Sequence, residues 1–312
     1  MSGHWLRSCA FSVFSSCAAS IASAASMCTF EHRAPACGAA SLVALGTHYG
    51  TDKVQHGFAA VYDRMLSPHK QQIRNVLEVG VFFGSSLRMW RDFFPNSLTW
   101  GVDTFKGVQG HTVHGKAATF ADPDQFLVEW KAGMHERIRL IVGNQSNETD
   151  MGRVVVELQG GVPFDLIVED GSHLNRDQQR NLVRLFPLVA PGGIYVMEDL
   201  HCSQQPGFDE PKRGMHTSLS VLGRYEQFKN ATSLQSRYLS AGDAAELHKW
   251  IKSVEVVCAT PGSAPHAWME GRKGCWDITG IIRKRVNPRA LYGTHEISAQ
   301  NSLVPRPGAG LR

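Results

Sequence analysis

The sequence has almost no net charge over its central part. Its formal net charge is +4, but segments 1–40 and 286–312 together hold five basic and only two acidic residues. Between positions 41 and 285 there remain 27 basic and 26 acidic residues. Nucleic-acid binding needs clustered cations that displace condensed counterions. We therefore expect no nucleic-acid partner.

Long apolar runs and paired cysteine motifs are also missing. No apolar run reaches the roughly 18 residues that a membrane-crossing helix needs, so we expect no membrane span. None of the seven cysteines has C-x-x-C spacing, which argues against a zinc knuckle and a dithiol redox site. A Cys258–Cys275 disulfide remains an option only if the chain folds in an oxidising compartment.

The two ends of the chain differ in composition from its centre. Residues 1–40 are rich in Ser, Ala and Cys and contain no acid before Glu31, a bias typical of cleaved targeting segments. An organellar transit peptide, a weak secretory signal and a disordered tail all fit, so the compartment stays open between organelle, cytosol and, less favoured, the secretory route. Residues 286–312 lack periodicity and are predicted to be a disordered tail.

Between positions 41 and 285 the sequence alternates short apolar runs with helix-like segments. The predicted strands are centred on residues 76–79, 98–102, 138–142, 166–168, 194–197, 254–257 and 278–282. Helical crossovers separate the first five, and the last two can pair as an antiparallel hairpin. The sequence therefore predicts an α/β fold: one doubly wound, Rossmann-like, seven-stranded sheet that is mostly parallel.

Two polar segments of this domain interrupt the alternation of strands and helices. The polar segment 104–121 is predicted to be a loop, in which His111 and His114 are solvated and do not form a metal pair. Residues 201–245 follow the fifth strand and carry scattered aromatic residues among Gly, Ser and Lys. Their position predicts a lid or a substrate-recognition insert.

Adjacent acidic residues end two of the apolar runs. Glu169 and Asp170 follow one run, Glu198 and Asp199 follow the next, and His173 lies on the loop behind Asp170. Ligands of parallel sheets bind beyond the carboxyl ends of the strands, so this pattern indicates a site for a hard metal ion beside a base. Neighbouring residues on a strand face opposite ways, so only one of Glu169 and Asp170 is expected to face the metal.

The first strand leads into a glycine-containing turn. It passes Glu78 and Gly80, reaches Gly84, and precedes a helix that Ser85 or Ser86 is expected to cap. Such a turn brings bare backbone and a helix N-terminus close to a ligand, although a tight turn without a ligand is the alternative. Its G-x-x-x-G spacing differs from the dinucleotide G-x-G-x-x-G and disfavours a nicotinamide or flavin cofactor.

Polar residues also follow the second and third strands. Asp103 stands where an acid accepts hydrogen bonds from a ribose diol in doubly wound folds. Asn144 and Gln145 are candidates for bonding a base edge, and a simple polar turn is the alternative. Together with the glycine turn, Asp103 completes a nucleoside-binding pattern.

The sequence contains, in this order, the motifs E-x-G-x-x-x-G, Asp103, GNQS, EDGSH and PGGIYVMEDL. With these motifs in this order, it resembles class I S-adenosylmethionine-dependent methyltransferases. More narrowly, it is similar to the magnesium-dependent sugar O-methyltransferases of the macrocin and mycinamicin type and to the related cephalosporin hydroxylase-like group. The GTDKVQHG element at Gly50–Gly57 resembles the N-terminal region of that group. The resemblance covers about residues 44–285.

The resemblance implies a reaction and a set of residue roles. S-adenosylmethionine would donate a methyl group to a hydroxyl of a sugar, polyol or natural-product acceptor, with Mg²⁺ bound and His173 as general base. Asn144 stands where these enzymes often carry Asp. The implied ligands are Asp170, Glu198 and Asp199 for Mg²⁺; Glu78, Gly80, Gly84 and Ser85 for the methionine moiety; Asp103 for ribose; and Asn144 and Gln145 near adenine.

Two other functions compete with this reading. A nucleoside-binding or scaffold protein could share the fold without catalysis. Oxygen-dependent hydroxylation is disfavoured, because His173 is expected to be the only histidine near the acids and iron sites of that type use two histidines and one carboxylate. Enzymes of the resembling group often assemble, so a homo-oligomer with contacts through the N-terminal helix is an open expectation.

Overall fold

The structure is a computed structural model that describes residues 40–113, 116–119, 123–132, 137–159, 163–202, 208, 216–260, 275 and 277–287. The predicted targeting segment lies outside the described residues except for its last position. The predicted C-terminal tail lies outside them from residue 288 onward.

Seven strands form one sheet within the described residues. Including the two strands of a separate hairpin, β3 and β4, the described residues hold nine strands: β1 Asn75–Val79, β2 Leu98–Asp103, β3 Gly107–Val113, β4 Lys116–Thr119, β5 Ile138–Val142, β6 Phe164–Glu169, β7 Val189–Met197, β8 Ile251–Cys258 and β9 Ile278–Lys284. The main sheet has the order β5-β2-β1-β6-β7-β9-β8. Its first five strands run parallel, and β9 runs antiparallel to both neighbours. The predicted Rossmann-like sheet with a late antiparallel hairpin is confirmed.

Helices connect and cover these strands. They are α1 Leu42–Tyr49, α2 Phe58–Leu66, α3 Ser85–Phe93, α4 Pro123–Ala132, α5 Glu148–Gln159, α6 Asn175–Leu185, α7 Ser218–Phe228, α8 Ala231–Leu234 and α9 Ala241–Trp250. Short 3-10 turns at Ser67–His69 and Phe186–Leu188 follow α2 and α6. In the described part of the chain, no helix combines the length and the apolar character that crossing a membrane requires.

The alternation of side chains along β6 divides the core into two layers. Leu166 and Val168 pack with the apolar residues of α1, α2 and α3 on one face. Ile167 packs with α5, α6 and α7 on the other. Because successive side chains of a strand point to opposite faces, the same alternation decides which acids at the strand ends meet which helices.

The polar segment at 104–121 differs from the predicted loop. Gly107–Val113 and Lys116–Thr119 pair as a separate two-stranded antiparallel sheet. His111 lies in β3, whereas His114 lies outside the described residues. A hairpin of this kind pairs its own backbone groups and needs no buried apolar face, so an apolar pattern does not reveal it.

The segment 201–245 is described in part. Its part from residue 216 onward carries α7, α8 and the start of α9, which pack on the sheet through Val221, Leu222, Tyr225 and Ala244. The rest of the segment, except His201, Cys202 and Phe208, lies outside the described residues.

Candidate active site

Three side chains converge beyond the carboxyl ends of β6 and β7. Asp170, His173 and Asp199 each offer one ligand atom, and these atoms all lie within 4.8 Å of one another. His173 Nε2 is 3.5 Å from Asp199 Oδ2. The two strands are parallel neighbours in the sheet, so the loops that follow them meet at one edge. This cluster is the centre of the candidate site.

The backbone at this cluster is strained at two positions. His173 has a φ of 56° and Asp199 a φ of 52°, the left-handed region that L-residues rarely adopt. Such residues cost about 1–3 kcal/mol each and persist only where the surrounding structure holds them. Ser172 Oγ accepts from Leu174 N at 3.3 Å, and Asp199 O accepts from Cys202 N at 2.9 Å. Strain of this kind concentrates at functional sites.

The electrostatics of the cluster suit a hard cation. Burial raises the pKa of Asp199, but His173, His201 and His56 outweigh it, and the net effect lowers that pKa below its ordinary value. Asp199 Oδ1 is buried and has no hydrogen-bond partner among the described residues. An ionised carboxylate with an unused oxygen is the kind of ligand that Mg²⁺ prefers. The donor set of Asp170 and Asp199 therefore fits this metal.

Glu198, the third metal ligand that the resemblance implies, does not belong to this cluster and contacts other side chains. Its Oε2 is 2.8 Å from Lys53 Nζ, and its Oε1 accepts a hydrogen bond from Tyr62 at 2.9 Å. Its side chain is fully enclosed. Glu198 continues the side of β7 that faces α2, whereas the left-handed turn at Asp199 carries the next carboxylate to the cluster.

Lys53 is a site residue that the sequence reasoning missed. Its ammonium lies 2.5 Å from Asp170 Oδ2 and 3.3 Å from Glu78 Oε1, in addition to its contact with Glu198. Burial lowers the pKa of Lys53, but Asp170, Glu198 and Glu78 together raise it well above its ordinary value. The available signal was the GTDKVQHG element, whose lysine is its one basic residue other than histidine.

Glu169 and Asp170 point to opposite faces of β6, and this decides which of them faces the cluster. Glu169 is fully buried on the α6 side, where burial raises its pKa to about 8. The amide of Gln145 lies between Glu169 and Ser172. When its nitrogen is assigned to the side of the carboxylate, it donates to Glu169 Oε1 at 3.0 Å and its oxygen accepts from Ser172 Oγ at 2.8 Å. Asp170 is therefore the member of the pair that faces the cluster.

Close packing requires glycine at two positions of the turn between β1 and α3. Gly80 has a φ of 92°, and a Cβ there would lie 2.0 Å from Asp170 O. Gly84 has a φ of 70°, and a Cβ there would overlap the ring of Trp130. Close packing thus explains both glycines whether or not a ligand binds.

The start of α3 differs from the predicted serine cap. Gly84 is the N-cap, no side chain caps the helix, and Ser85 is the first helical residue. Ser86 Oγ instead donates to Glu78 Oε2 at 2.7 Å, which fixes this carboxylate at the end of β1. An N-terminus without a side-chain cap keeps backbone N–H groups for a ligand, so the turn fits the methionine end of the implied cofactor.

Asp103 orders the same turn from the end of β2. Its Oδ2 accepts from Val81 N at 2.7 Å and Phe82 N at 3.1 Å, and its Oδ1 accepts from Phe105 N at 2.9 Å. Thr104 Oγ1 also donates to Oδ1 at 3.3 Å, so a ribose hydroxyl that donates to Oδ1 would replace the bond from Thr104. Asp103 therefore fits the ribose position, and its hydrogen bonds to backbone N–H groups also hold the turn in place.

The two predicted residues of the polar turn after β5 differ in burial and in hydrogen bonding. Asn144 is exposed, and its Oδ1 accepts from Ser146 N at 3.0 Å. Gln145 is buried against Glu169 and Ser172, as described above. The turn thus has the local hydrogen bonding of an ordinary Asx turn, and Asn144 is the member that faces solvent at the carboxyl edge.

Two more histidines approach the acids, which contradicts the expectation that His173 would be alone. His201 Nδ1 lies 3.9 Å from Asp199 Oδ1. His56 Nδ1 lies 2.6 Å from Asp277 Oδ1; burial lowers its pKa, but Asp277 and Asp199 raise it to about 9 overall. His56 and Asp277 come from distant parts of the chain, so their sequence positions did not place them here.

A disulfide lies next to Asp277. Cys258 and Cys275 are bonded, with 5.7 Å between their Cα atoms. Cys275 Sγ also contacts Asp277 O at 3.3 Å. The bridge ties the end of β8 to the residues before β9, where Asp277 holds His56.

Comparison with known proteins finds a matching domain and several relatives. Residues 77–200 match a family model described as a methyltransferase domain. The chain is 32% identical over 191 residues to mycinamicin VI 2''-O-methyltransferase of Micromonospora griseorubida, covering 57% of this chain and 41% of that protein. It is 31% identical over 178 residues to demethylmacrocin O-methyltransferase of Streptomyces fradiae, covering 54% and 38%.

A solved structure is similar as well: MycE methyltransferase from the mycinamycin biosynthetic pathway in complex with Mg, SAH and mycinamycin VI. The TM-score is 0.53 at 25% identity, covering 82% of this chain and 57% of that chain. This chain therefore spans well under two thirds of the length of each of these proteins.

The fold and the matched region point to one class: residues 77–200 match a methyltransferase domain, and the chain is similar in fold to MycE methyltransferase. Within that class it resembles the macrocin and mycinamicin type of sugar O-methyltransferase.

Proposed function

We propose that this chain transfers a methyl group from S-adenosylmethionine to a hydroxyl of a sugar or another polyol on a small-molecule acceptor. In this proposal Asp170 and Asp199 hold Mg²⁺ and His173 is the general base. The observation that carries it is the convergence of Asp170, His173 and Asp199 within 4.8 Å, beside the nucleoside-binding pattern of β1 and β2.

The chain's own residues would prepare the acceptor hydroxyl. An alcohol is a poor nucleophile at neutral pH, and a bound Mg²⁺ supplies positive charge that makes a hydroxyl more acidic. His173 accepts the hydroxyl proton as the oxygen attacks the methyl group. Asp199, with its Oδ2 3.5 Å from His173 Nε2, then lies beside the positive charge of the protonated ring.

The other end of the site would hold the methyl donor. S-adenosylmethionine supplies an electrophilic methyl group on a sulfonium. Glu78, Gly80, Gly84 and Ser85 would line its methionine moiety, because they surround the N-terminus of α3 that no side chain caps. Asp103 would accept from the ribose hydroxyls. Asn144 would approach adenine from the exposed turn, whereas buried Gln145 would support that turn rather than contact the base.

The acceptor class is supported by the relatives. Those named above are O-methyltransferases of mycinamicin VI and demethylmacrocin, and another, from Streptomyces antibioticus, is an L-olivosyl-oleandolide 3-O-methyltransferase. These names support a hydroxyl acceptor on a sugar-bearing natural product. Two carboxylates also leave room around an octahedral Mg²⁺ for acceptor oxygens or water.

The test is methyl transfer by the full chain to a panel of sugar and polyol acceptors, read by product mass. We expect a gain of one CH₂ unit that depends on Mg²⁺ and is lost in Asp170→Asn and Asp199→Asn, while both variants keep affinity for S-adenosylhomocysteine. Glu157→Gln, an exposed substitution on α5, is the matched control and should keep full activity.

Three outcomes would contradict the proposal. Full turnover in both aspartate variants would remove the metal site from the reaction. Binding of S-adenosylhomocysteine without methyl transfer to any acceptor would favour the scaffold function. A gain of one oxygen atom instead of CH₂ would favour hydroxylation, which the histidines near Asp199 make worth measuring.

A further inference from the structure

Helix α6 begins at Asn175, directly after the loop that carries His173, and it buries polar side chains. Asn175 is 0% exposed, and Gln179, one turn further along the helix, is 1% exposed. A buried amide is unfavourable unless its donor and its acceptor are both paired. The hydrogen-bond partners of these two amides therefore show which parts of the chain α6 holds in place.

Asn175 is bonded to two separate points of the chain that follows Asp199. Its backbone N–H and its Nδ2 both donate to Phe208 O, at 3.4 and 2.8 Å, and its Oδ1 accepts from Ser218 N at 2.6 Å. The Phe208 carbonyl thus pairs an N–H group of the first turn, which the helix itself leaves without a partner. Asn175 therefore fixes Phe208 beside the loop that carries His173.

Gln179 is bonded in a similar way, but further from the site. Its Nε2 donates to His216 O at 2.7 Å, and its Oε1 accepts from Ser236 Oγ at 2.5 Å. Residues four apart lie on the same face of a helix, about 5.4 Å apart along its axis. Both amides fix the chain after β7 to α6, but only Asn175 lies next to the proposed base.

Phe208 lies on the acceptor side of the sheet rather than on the cofactor side. Its partner Asn175 follows β6, and Phe208 itself belongs to the chain after β7. The glycine turn and Asp103 follow β1 and β2, on the other side of β6 in the strand order. Phe208 is half-buried, so part of this aromatic residue is open to a ligand.

We propose that Phe208 binds the apolar face of the methyl acceptor and that Asn175 is the positioning residue that holds Phe208 there. Small-molecule sites are lined mainly by apolar and aromatic side chains, with a few polar groups that fix orientation. A sugar attached to an apolar natural product offers C–H surface to such a ring while its hydroxyl reaches His173. The inference rests on the proposed function, since it needs that acceptor.

A purely structural role of Asn175 predicts a different result. If the amide only stabilises the packing of α6, Asn175→Leu lowers the melting temperature and leaves the kinetics of the folded enzyme unchanged. If the amide positions Phe208, its loss raises the KM of the acceptor. The kcat at saturating acceptor stays unchanged, because only binding that substrate and transition state share is removed.

The experiment measures kcat, acceptor KM and S-adenosylhomocysteine affinity for the full chain, Asn175→Leu, Phe208→Ala and the double variant. Each single variant should raise the KM of the acceptor about tenfold and leave S-adenosylhomocysteine affinity unchanged. Because Asn175 acts through Phe208, the double variant should have the KM of Phe208→Ala alone. Losses that multiply in the double variant would overturn the proposal.

Gln179→Leu is the matched control, since it removes a buried amide from the same face of α6. We expect it to lower the melting temperature by about 5 °C, as Asn175→Leu does, without changing the KM of the acceptor. Phe208→Tyr keeps the ring and should keep the KM. If Asn175→Leu does not fold, the smaller and polar Asn175→Ser replaces it in the cycle.

The outcomes separate this inference from the proposed function. Normal methyl transfer with an unchanged acceptor KM in Asn175→Leu and Phe208→Ala would overturn the inference and leave the proposed function intact. Weaker binding of S-adenosylhomocysteine by Phe208→Ala would place the ring on the cofactor side and also overturn it. No methyl transfer by the unmodified chain to any acceptor would contradict both.

Discussion

Two lysines are buried at opposite ends of the same sheet, and they are satisfied in different ways. Lys53, at the carboxyl ends of the parallel strands, faces the carboxylates of Glu78, Asp170 and Glu198. Lys284 ends β9 at the opposite edge. Its Nζ donates to three backbone carbonyls, those of Phe186 at 3.2 Å, Pro187 at 2.9 Å and Val189 at 2.6 Å.

The two environments move the lysine pKa values in opposite directions. Burial lowers the pKa of Lys284, and neutral carbonyls surround it. At Lys53 the carboxylates outweigh burial and raise the pKa. Rings also cover Lys284, whose Nζ lies 5.2 Å from the Trp250 ring and 5.6 Å from that of Phe186. Lys284 therefore stabilises a fixed structure, whereas Lys53 sits in a charge cluster that a bound cation can change.

The largest expected effect is on catalysis at the carboxyl edge. His173→Ala should lower kcat by about 10²- to 10⁴-fold, the usual contribution of a positioned base, and should leave S-adenosylhomocysteine affinity unchanged. Steady-state kinetics and calorimetric titration provide the two readouts. An unchanged kcat would assign the proton transfer to another group, for which His201, 3.9 Å from Asp199, is the nearest test.

The matching substitution at the opposite edge should change stability alone. Lys284→Met leaves three carbonyls without their donor, and we expect a loss of about 2 kcal/mol in the free energy of unfolding. Urea denaturation measures it. Because no acid of the metal cluster is involved, Mg²⁺ should shift the melting temperature of this variant as much as that of the unmodified chain. A different magnesium shift would show that the two edges are coupled.

A buried ion pair on α3 makes the stability of the fold depend on pH. Asp92 accepts from Arg91 Nε at 2.6 Å and also from Tyr49. Burial raises the pKa of Asp92, but Arg91 and Tyr49 outweigh it and lower that pKa below its ordinary value. Asp92 therefore stabilises the fold above its unfolded pKa, and this contribution disappears as pH falls through the folded pKa.

Asp92→Asn should consequently be less stable than the unmodified chain at neutral pH, by about 1–3 kcal/mol. It should also lose less stability on acidification through the range below the unfolded pKa. Denaturation curves at several pH values measure both effects. Parallel pH profiles for the two proteins would show that Asp92 is not responsible for the acid sensitivity of this region.

The smallest effect is expected for an exposed ion pair. Arg153 NH1 lies 3.5 Å from Glu157 Oε2, one turn further along α5, and both side chains are about half exposed. Pairs of this kind contribute about 0.3–0.5 kcal/mol. Glu157→Gln should change the free energy of unfolding by no more than that in a urea titration. A larger loss would mean that the exposure of a charged side chain does not predict how much its contacts contribute to stability.

Much of the architecture followed from local patterns. Apolar runs such as Leu166–Val168 and Ile194–Met197 predicted buried strands, and the order of motifs predicted the nucleoside-binding side of the sheet. The elements that were not predicted lie in segments with little apolar signal. The hairpin of β3 and β4 pairs its own backbone, and α7 buries Val221, Leu222 and Tyr225 within a sequence that is polar overall.

The site itself was predicted in part. Asp170, His173 and Asp199 come together because they follow neighbouring strands, and the strand order could be anticipated from the crossovers. The position of Glu198 could not, since Glu198 and Asp199 are adjacent in sequence and only the left-handed turn at Asp199 separates their directions.

The sequence by itself determined the strands, their parallel order and the edge at which the acids collect, because side-chain periodicity and crossover geometry act over short stretches of chain. The tertiary structure alone decided how the charges are paired. Lys53 is 117 residues from Asp170 and 145 from Glu198 in the chain, and His56 is 221 from Asp277. Such pairings depend on which loops pack over the folded sheet, and no local pattern specifies them.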